Sequence, residues 1–440
     1  MKEQRTAYIR RLGLFDGIMV VVGGIIGAGI FINPAIVAQR VGTAGLTLLS
    51  WGLGGLIAII GALCFGELGS RRPEAGGGYV YLREGFGPLP AFLYGWTQLL
   101  VINTGGIAAV AVTFAFYAES LLGFGAGSVK PLAVAAIVLL SGINYFGIRP
   151  GSITQNIFTV LKLIAVAVLV FAGLFMVTGG ASSSEPSGVA RSPLATVGVL
   201  GAALIPVLFA YGGWQHLNNV GAEIRRPERN LPIAVVGGVL VVVVSYMLVN
   251  LAYLRALGVE GLAASTAPAA ESMQALVGTT GARFIAAGIM VSTFGFVNLV
   301  ILAAPRIYQA MADDGVFFRQ AARLHPRYRA PSAAILIQGG WAVLLTLTGS
   351  YAQLLDYVVF GDWIFFGMIV ATLFAYRRRE PVPAGGVFRM PGYPALPVFF
   401  VLVAGFVVFS TIVSNPWNAL LGAALIVAGI PVFLVWRKRR

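Results

Sequence analysis

Charge is what this 440-residue sequence has least of: 10% of its residues are Asp, Glu, Lys or Arg, against 58% hydrophobic. A soluble domain carries about 25% charged residues. So few charges cannot cover a water-facing surface of this size, and the mean hydropathy of +0.87 puts most of that surface against lipid. Cysteine is almost absent. Cys64, inside an apolar run, is the only one, so an intrachain disulfide is excluded and cysteine usage says nothing of the redox compartment. No paired-cysteine metal site, phosphate loop or nucleophile elbow occurs, and an enzyme, a metal or a cofactor is not expected. No small-residue cleavage site closes the apolar sequence after Arg10 and Arg11, so the N-terminus does not read as a secretory signal.

Long apolar runs are what the chain has instead. Stretches long enough to cross hydrocarbon, about 20 residues each, fall near 12–40, 44–69, 88–121, 130–148, 153–178 and 196–220. A second set lies near 232–256, 282–312, 331–349, 353–376, 394–413 and 416–436. The expected fold is an all-α integral membrane protein with about twelve transmembrane helices. No segment between them is long enough to fold alone.

The formal net charge of +14 follows the loops. One alternate set of loops holds only Arg40, Lys130, Arg191, Arg255 and Arg283, while Lys162 lies within a stretch; every other Lys and Arg sits in the opposite set. The positive-inside rule then places both termini in the cytoplasm of a cell, or inner, membrane. The basic charge is topogenic, and nucleic acid is not an expected partner.

Two stretches resist continuous helix. The first carries Gly23, Gly24, Gly27 and Gly29, followed by Asn33-Pro34; the sixth carries Pro206 and then Phe209-Ala210-Tyr211-Gly212-Gly213-Trp214. Each mid-helix glycine costs about 1 kcal/mol relative to Ala. Unwound backbone at membrane depth persists only where it lines a cavity or is buried in protein. Breaks in the first and sixth stretches are corresponding positions of two five-helix halves, and an odd number of spans per half inverts the second. The expected division is a cytoplasmic tail at 1–11, a first repeat at 12–178, an outer loop at 179–195 and a second repeat at 196–376. A cytoplasmic loop at 377–393 leads to two appended helices and a basic tail at 394–440. The outer segment 257–281 is expected to hold a short helix over the vestibule. Amides at a half-helix N-terminus bind a carboxylate, and freed carbonyls bind an ammonium, so the pair suits a zwitterionic amino acid.

Four motifs carry a resemblance. Gly27-Ala28-Gly29-Ile30-Phe31 resembles the small-residue loop of the amino acid–polyamine–organocation superfamily, and Gly76-Gly77-Gly78-Tyr79-Val80-Tyr81-Leu82-Arg83-Glu84 its first cytoplasmic loop. Phe209 to Trp214 with Glu223, Pro227 and Asn230-Leu231-Pro232 is similar to the L-type amino acid transporter branch, as is Asn156 to Lys162. The resemblance implies a LeuT-like 5+5 inverted repeat. It places the substrate carboxylate on the amides of Gly27, Ala28 and Gly29, within the segment Ile26 to Ile30. The ammonium falls to the carbonyls of Phe209, Ala210 and Tyr211 beside Gly212, with the Phe209 ring as gate. It makes Lys162, with Tyr246, a surrogate for the ion that sodium-coupled relatives hold. Ala28 stands where relatives often have serine, and Leu299 where they often have glycine. Eukaryotic members join a glycoprotein heavy chain through a cysteine in the loop at residues 121–130, which holds none here.

Polar residues inside apolar stretches are candidate functional groups, because a charge at the bilayer centre costs about 2.5–3.5 kcal/mol or more. Lys162 is too deep to reach an interface. Asp362 is a candidate substrate or proton contact. His216 and Ser292 lie near the breaks, and Gln215, beside Trp214, is a candidate specificity residue. Glu67 and Glu119 fall near stretch ends and are expected at the interface. The expected activity is sodium-independent exchange or facilitated transport of neutral L-amino acids. A proton-coupled amino acid or polyamine importer of the same fold is the alternative, and a transport-inactive amino acid sensor a second.

Overall fold

The computed structural model describes residues 7–177, 193–349, 351–381 and 385–438; most of the outer loop expected at 179–195 lies outside them. The first stretch folds as α1 (Leu14–Ile25) and α2 (Gly29–Val41), bent by 44° at the break. Then come α3 (Ala44–Arg71), the short α4 (Gly78–Phe86), α5 (Pro88–Thr97), a π-turn at Gln98–Ile102 and α6 (Asn103–Leu122). α7 (Val129–Tyr145) and α8 (Ile148–Phe175) complete the first half. The second half runs α9 (Pro193–Tyr211), α10 (His216–Asn219), α11 (Pro227–Ala264), α12 (Pro268–Val277), α13 (Thr279–Ala303), α14 (Pro305–Asp313), α15 (Ser332–Thr348) and α16 (Tyr351–Arg379). Last are α17 (Ala395–Ser414), α18 (Pro416–Val427) and α19 (Gly429–Lys438).

Among the described residues, nine helical segments are long and apolar enough to cross a membrane, and the bent α1–α2 pair makes ten; α7 and α15 are shorter apolar helices. Boundaries moved where local chemistry differs from hydropathy. α11 begins at Pro227, whose missing N–H suits a first helical turn, five residues before the apolar stretch. α12 is the short helix expected within 257–281, and it packs on α2, α8, α11 and α13.

α1 occupies the centre, flanked by α8, α11 and α13, while α9 packs on α2 and α3. Both breaks therefore lie inside protein. α17–α19 pack mainly on α16, α3 and α5, at the periphery. Large apolar side chains such as Phe171, Phe175, Leu402 and Phe409 remain exposed, as a lipid-facing surface requires.

The arginine-rich end is laced shut. Glu67 is a correction to the sequence reading: it is fully buried rather than interfacial. Its carboxylate accepts from Arg71 Nε at 2.9 Å, Arg377 Nη2 at 2.5 Å and the Met390 amide at 2.9 Å. Hydropathy sees only that Glu67 is near a helix end, not that the segment 385–393 folds back over it. Nearby, Arg83 Nη1 meets Asp314 Oδ2 at 2.8 Å, and Arg72 bridges Glu84 and Glu380. The buried Arg306 guanidinium donates from Nε to Glu223 Oε2 at 2.9 Å and from Nη2 to Glu223 Oε1 at 3.1 Å.

Candidate functional site

The first break leaves backbone donors unused. The Ile26 amide donates to the Val22 carbonyl at 2.9 Å and the Gly27 amide to Ile25 at 2.8 Å; Phe31 donates to Ala28 at 3.1 Å. Among the described residues the amides of Ala28, Gly29 and Ile30 find no such backbone partner, as expected for the first turn of α2. They carry the positive end of its dipole.

Opposite them lies the last turn of α9. A methyl on Gly29 would stand 3.0 Å from Ala210 Cβ and 3.1 Å from its Cα. The two elements are fastened by side chains that answer the α9 backbone. Pro206 has no N–H, so the Ala202 carbonyl one turn earlier loses its helical donor; Arg40 Nη1 donates to it instead. Asn33 Nδ2 donates to the Pro206 carbonyl at 2.7 Å. Beyond Tyr211 the chain unwinds through Gly212 and Gly213 before α10.

Behind the first break stands Lys162, fully buried on α8. Its Nζ donates to the carbonyls of Ile26 at 2.7 Å, Gly23 at 3.0 Å and Ser292 at 3.2 Å. An ammonium has three donors, and all three are used on carbonyl oxygens, two of them from the broken helix. Ser292 Oγ donates to the same Ile26 carbonyl at 3.1 Å. Tyr246 Oη reaches Ile25 O at 3.0 Å and Ala210 O at 3.2 Å, so one hydroxyl touches both breaks. The polar backbone of Ile26 is thereby consumed, and Ile26 is fully buried. It braces the loop and does not face the cavity.

A cavity of about 150 Å³ lies between the breaks. Of the residues chosen from sequence, Gly27, Ala28, Gly29, Phe209, Ala210 and Gly212 line it. Gln215, His216 and Asp362 do as well. Phe209 is 45% exposed. Ile26, Ile30, Tyr211, Lys162, Tyr246 and Ser292 are not in its wall. Gln215 turns inward, its Oε1 accepting from the Gly213 amide at 3.0 Å, so it stabilises the break. His216 is buried, and its Nδ1 has no partner among the described residues. Asp362 is half-buried, with Gln98 Nε2 at 3.4 Å from Oδ1.

The sequence reading missed a wall. Ile102, Asn103 and Gly106 come from the π-turn and α6, Phe296 from α13, and Trp363 and Phe366 from α16. The π-turn displaces one residue of the helix toward the cavity, a device common at functional sites. The polar run Asn103-Thr104 inside the stretch 88–121 was the available signal. Among the described residues, no cluster of three His, Cys, Asp or Glu is placed to hold a metal ion.

The arrangement is a small site with the open amides of the first break on one side, the last turn of α9 on the other and a largely apolar remainder. It offers binding, not bond chemistry. A family model described as amino acid permease matches residues 12–436. The chain is 32% identical over 452 residues to the Homo sapiens b(0,+)-type amino acid transporter 1, covering 99% of this chain and 89% of that protein. It is 31% identical over 436 residues to the Bacillus subtilis serine/threonine exchanger SteT, covering 98% of each. To the Homo sapiens large neutral amino acids transporter small subunit 2 it is 31% identical over 434 residues, 97% of this chain and 80% of that protein. With a match along nearly its whole length and a bundle of membrane-crossing helices, the chain belongs to the amino acid permease family, as a multi-pass membrane transporter of amino acids.

Proposed function

We propose that the chain carries neutral L-amino acids by sodium-independent exchange or facilitated transport, through alternating access in a twelve-span 5+5 inverted repeat with both termini cytoplasmic. The observation that carries this reading is Lys162 Nζ on the carbonyls of Gly23, Ile26 and Ser292. Freed carbonyls of a broken helix are where a coupling cation would sit in such a fold. Here a covalently tethered cation already holds them, and its charge repels a second.

The α-carboxylate of the substrate is assigned to the amides of Ala28 and Gly29 and the α-ammonium to the end of α9. Phe209 covers the cavity. The ion pairs at the arginine-rich end, read as cytoplasmic, fit a state closed on that side. The relatives, two amino acid transporters and one serine/threonine exchanger by name, agree with an amino acid cargo. Cys64, the sole cysteine, is buried and free, which supports a chain that works without a disulfide-linked partner.

The test is uptake of a labelled amino-acid panel by proteoliposomes, in sodium-containing and choline-replaced buffers, with and without internal substrate. Stimulation by internal amino acid and indifference to sodium are expected. Strong sodium stimulation refutes the role given to Lys162. Asp362 in the cavity wall supports one alternative, proton-coupled import, and accumulation driven by a proton gradient would select it.

A further inference from the structure

We infer that Asp362 reads the far end of the substrate, and that the cavity selects neutral amino acids whose side chain donates a hydrogen bond. This deepens the transport reading above and rests on it.

The cavity has two unlike ends. One is backbone: the amides of Ala28 and Gly29 and the carbonyls at the end of α9 are suited to the groups every amino acid shares, so they cannot tell one amino acid from another. The remaining wall must do that. Most of it is apolar, with Val110, Phe296, Val300 and Phe366 among its residues. Such a wall measures size and shape only. It separates an isosteric hydroxyl from a methyl by at most about a hundredfold, and in favour of the methyl.

Two side chains break the apolar pattern with ionisable groups. Among the described residues Asp362 is the only carboxylate in the wall. Its side-chain partner among the described residues is the neutral amide of Gln98, whose Nε2 lies at a long 3.4 Å from Oδ1. Among the described residues no lysine or arginine lines the cavity, so no cation there competes with a ligand donor for the Asp362 carboxylate. His216, on the short helix after the second break, is buried, and its Nδ1 has no partner among the described residues. Asp362 is half-buried in a wall that is otherwise mostly apolar, and a carboxylate there is best matched by a ligand that donates a hydrogen bond. A hydroxyl or a carboxamide on the substrate side chain does so. An aliphatic side chain offers Asp362 no donor, and an acidic one brings its negative charge to Asp362.

Threonine and valine differ by one hydroxyl in place of one methyl, so they isolate this term from size. A hydrogen bond to a charged group contributes about 1.5–3 kcal/mol, which corresponds to roughly ten- to a hundredfold in affinity. The experiment is competition by threonine, valine and glutamate against labelled alanine uptake in proteoliposomes, for wild type, Asp362→Asn and Asp362→Ala. Wild type is expected to favour threonine over valine by tenfold or more and to ignore glutamate. Asp362→Ala should bring the threonine-to-valine ratio to within about threefold, and Asp362→Asn, which keeps an acceptor oxygen, should fall between. The ratio is informative even where a substitution lowers every flux. If a variant fails to fold, the wild-type ratio alone decides. Wild type that takes valine as well as threonine overturns this inference and leaves the transport reading standing. Wild type that takes up no amino acid overturns both.

Discussion

Gly24 and Gly213 put the two broken helices in backbone contact: a methyl at Gly213 would stand 2.3 Å from the Gly24 carbonyl oxygen, and one at Gly24 would stand 2.9 Å from the Gly213 carbonyl oxygen. Neither residue has room for a side chain. Gly213 also holds φ at +127°, where other residues are strained by about 1–3 kcal/mol. Gly213→Ala is therefore expected to separate the breaks, lowering uptake by more than tenfold and the thermal unfolding temperature with it. Gly237→Ala, with no atom within 4 Å of the added methyl, is the matched control and should leave both unchanged.

Lys162→Ala removes three charge-assisted donors at once and orphans carbonyls of the first break. Each such loss is worth about 1–3 kcal/mol. A marked fall in thermal stability and a flux reduced at least tenfold are expected. Flux should remain the same when choline replaces sodium. A variant that gained sodium dependence would show the carbonyls to be a latent cation site, which the wild-type side chain only fills.

Tyr246→Phe separates bracing from packing. The ring sits edge-on to Trp51, with centroids 5.6 Å apart, and beside Tyr211 at 5.0 Å; both contacts survive the substitution. Only the hydroxyl on Ile25 O and Ala210 O is lost. The apparent KM should rise several-fold to about tenfold, measured as concentration-dependent uptake, with expression and monodispersity unchanged.

The sequence exposed the breaks because glycine and proline at membrane depth have a local cost that nothing local repays. The same reasoning found Lys162, whose charge had to be paired. It was silent on which carbonyls would pair it, because Ser292 lies 130 residues away. The resemblance included Ile26 in the substrate segment, whereas the carbonyl of Ile26 is already taken by Lys162 and Ser292. Tertiary relations were the illegible part. Nothing local says that α6 carries a π-turn, that Asn103 and Phe296 share a wall, or that Glu67 is covered by a returning loop. Hydropathy measures a residue's average environment and not its neighbour.

Phe209→Ala tests the gate. The ring is half-exposed at the cavity wall directly before the break, so its removal should affect closure over the substrate more than the initial contact. Turnover is expected to fall about tenfold or more, while equilibrium binding of the best substrate, measured on purified protein, changes less than threefold. Equal losses in both would make Phe209 a binding contact only.

Arg306 and Glu223 give the last test, of the closed end. Both side chains are about 2% exposed, and burial pushes the Glu223 carboxyl up while Arg306 pulls it down. The Glu223 carbonyl also accepts the amides of Arg11 and Leu12 at 2.8 and 2.9 Å, and Arg225 N–H returns to Leu12 O at 2.9 Å. Glu223 thus ties the N-terminal segment at Leu12, which is fully buried, to this end of the bundle. Breaking one partner strands a buried charge, at about 3–5 kcal/mol. Arg306→Met alone and Glu223→Leu alone should each free the segment at Leu12, and the double variant, with no charge left unpaired, should be milder than either. A Leu12→Cys reporter reads this directly, because buried Cys64 contributes little background to labelling by a polar maleimide. Labelling should be slow in the parent, at least tenfold faster in each single variant and intermediate in the double. Equal labelling in all four would show that the ion pair does not govern access to the cavity from this side.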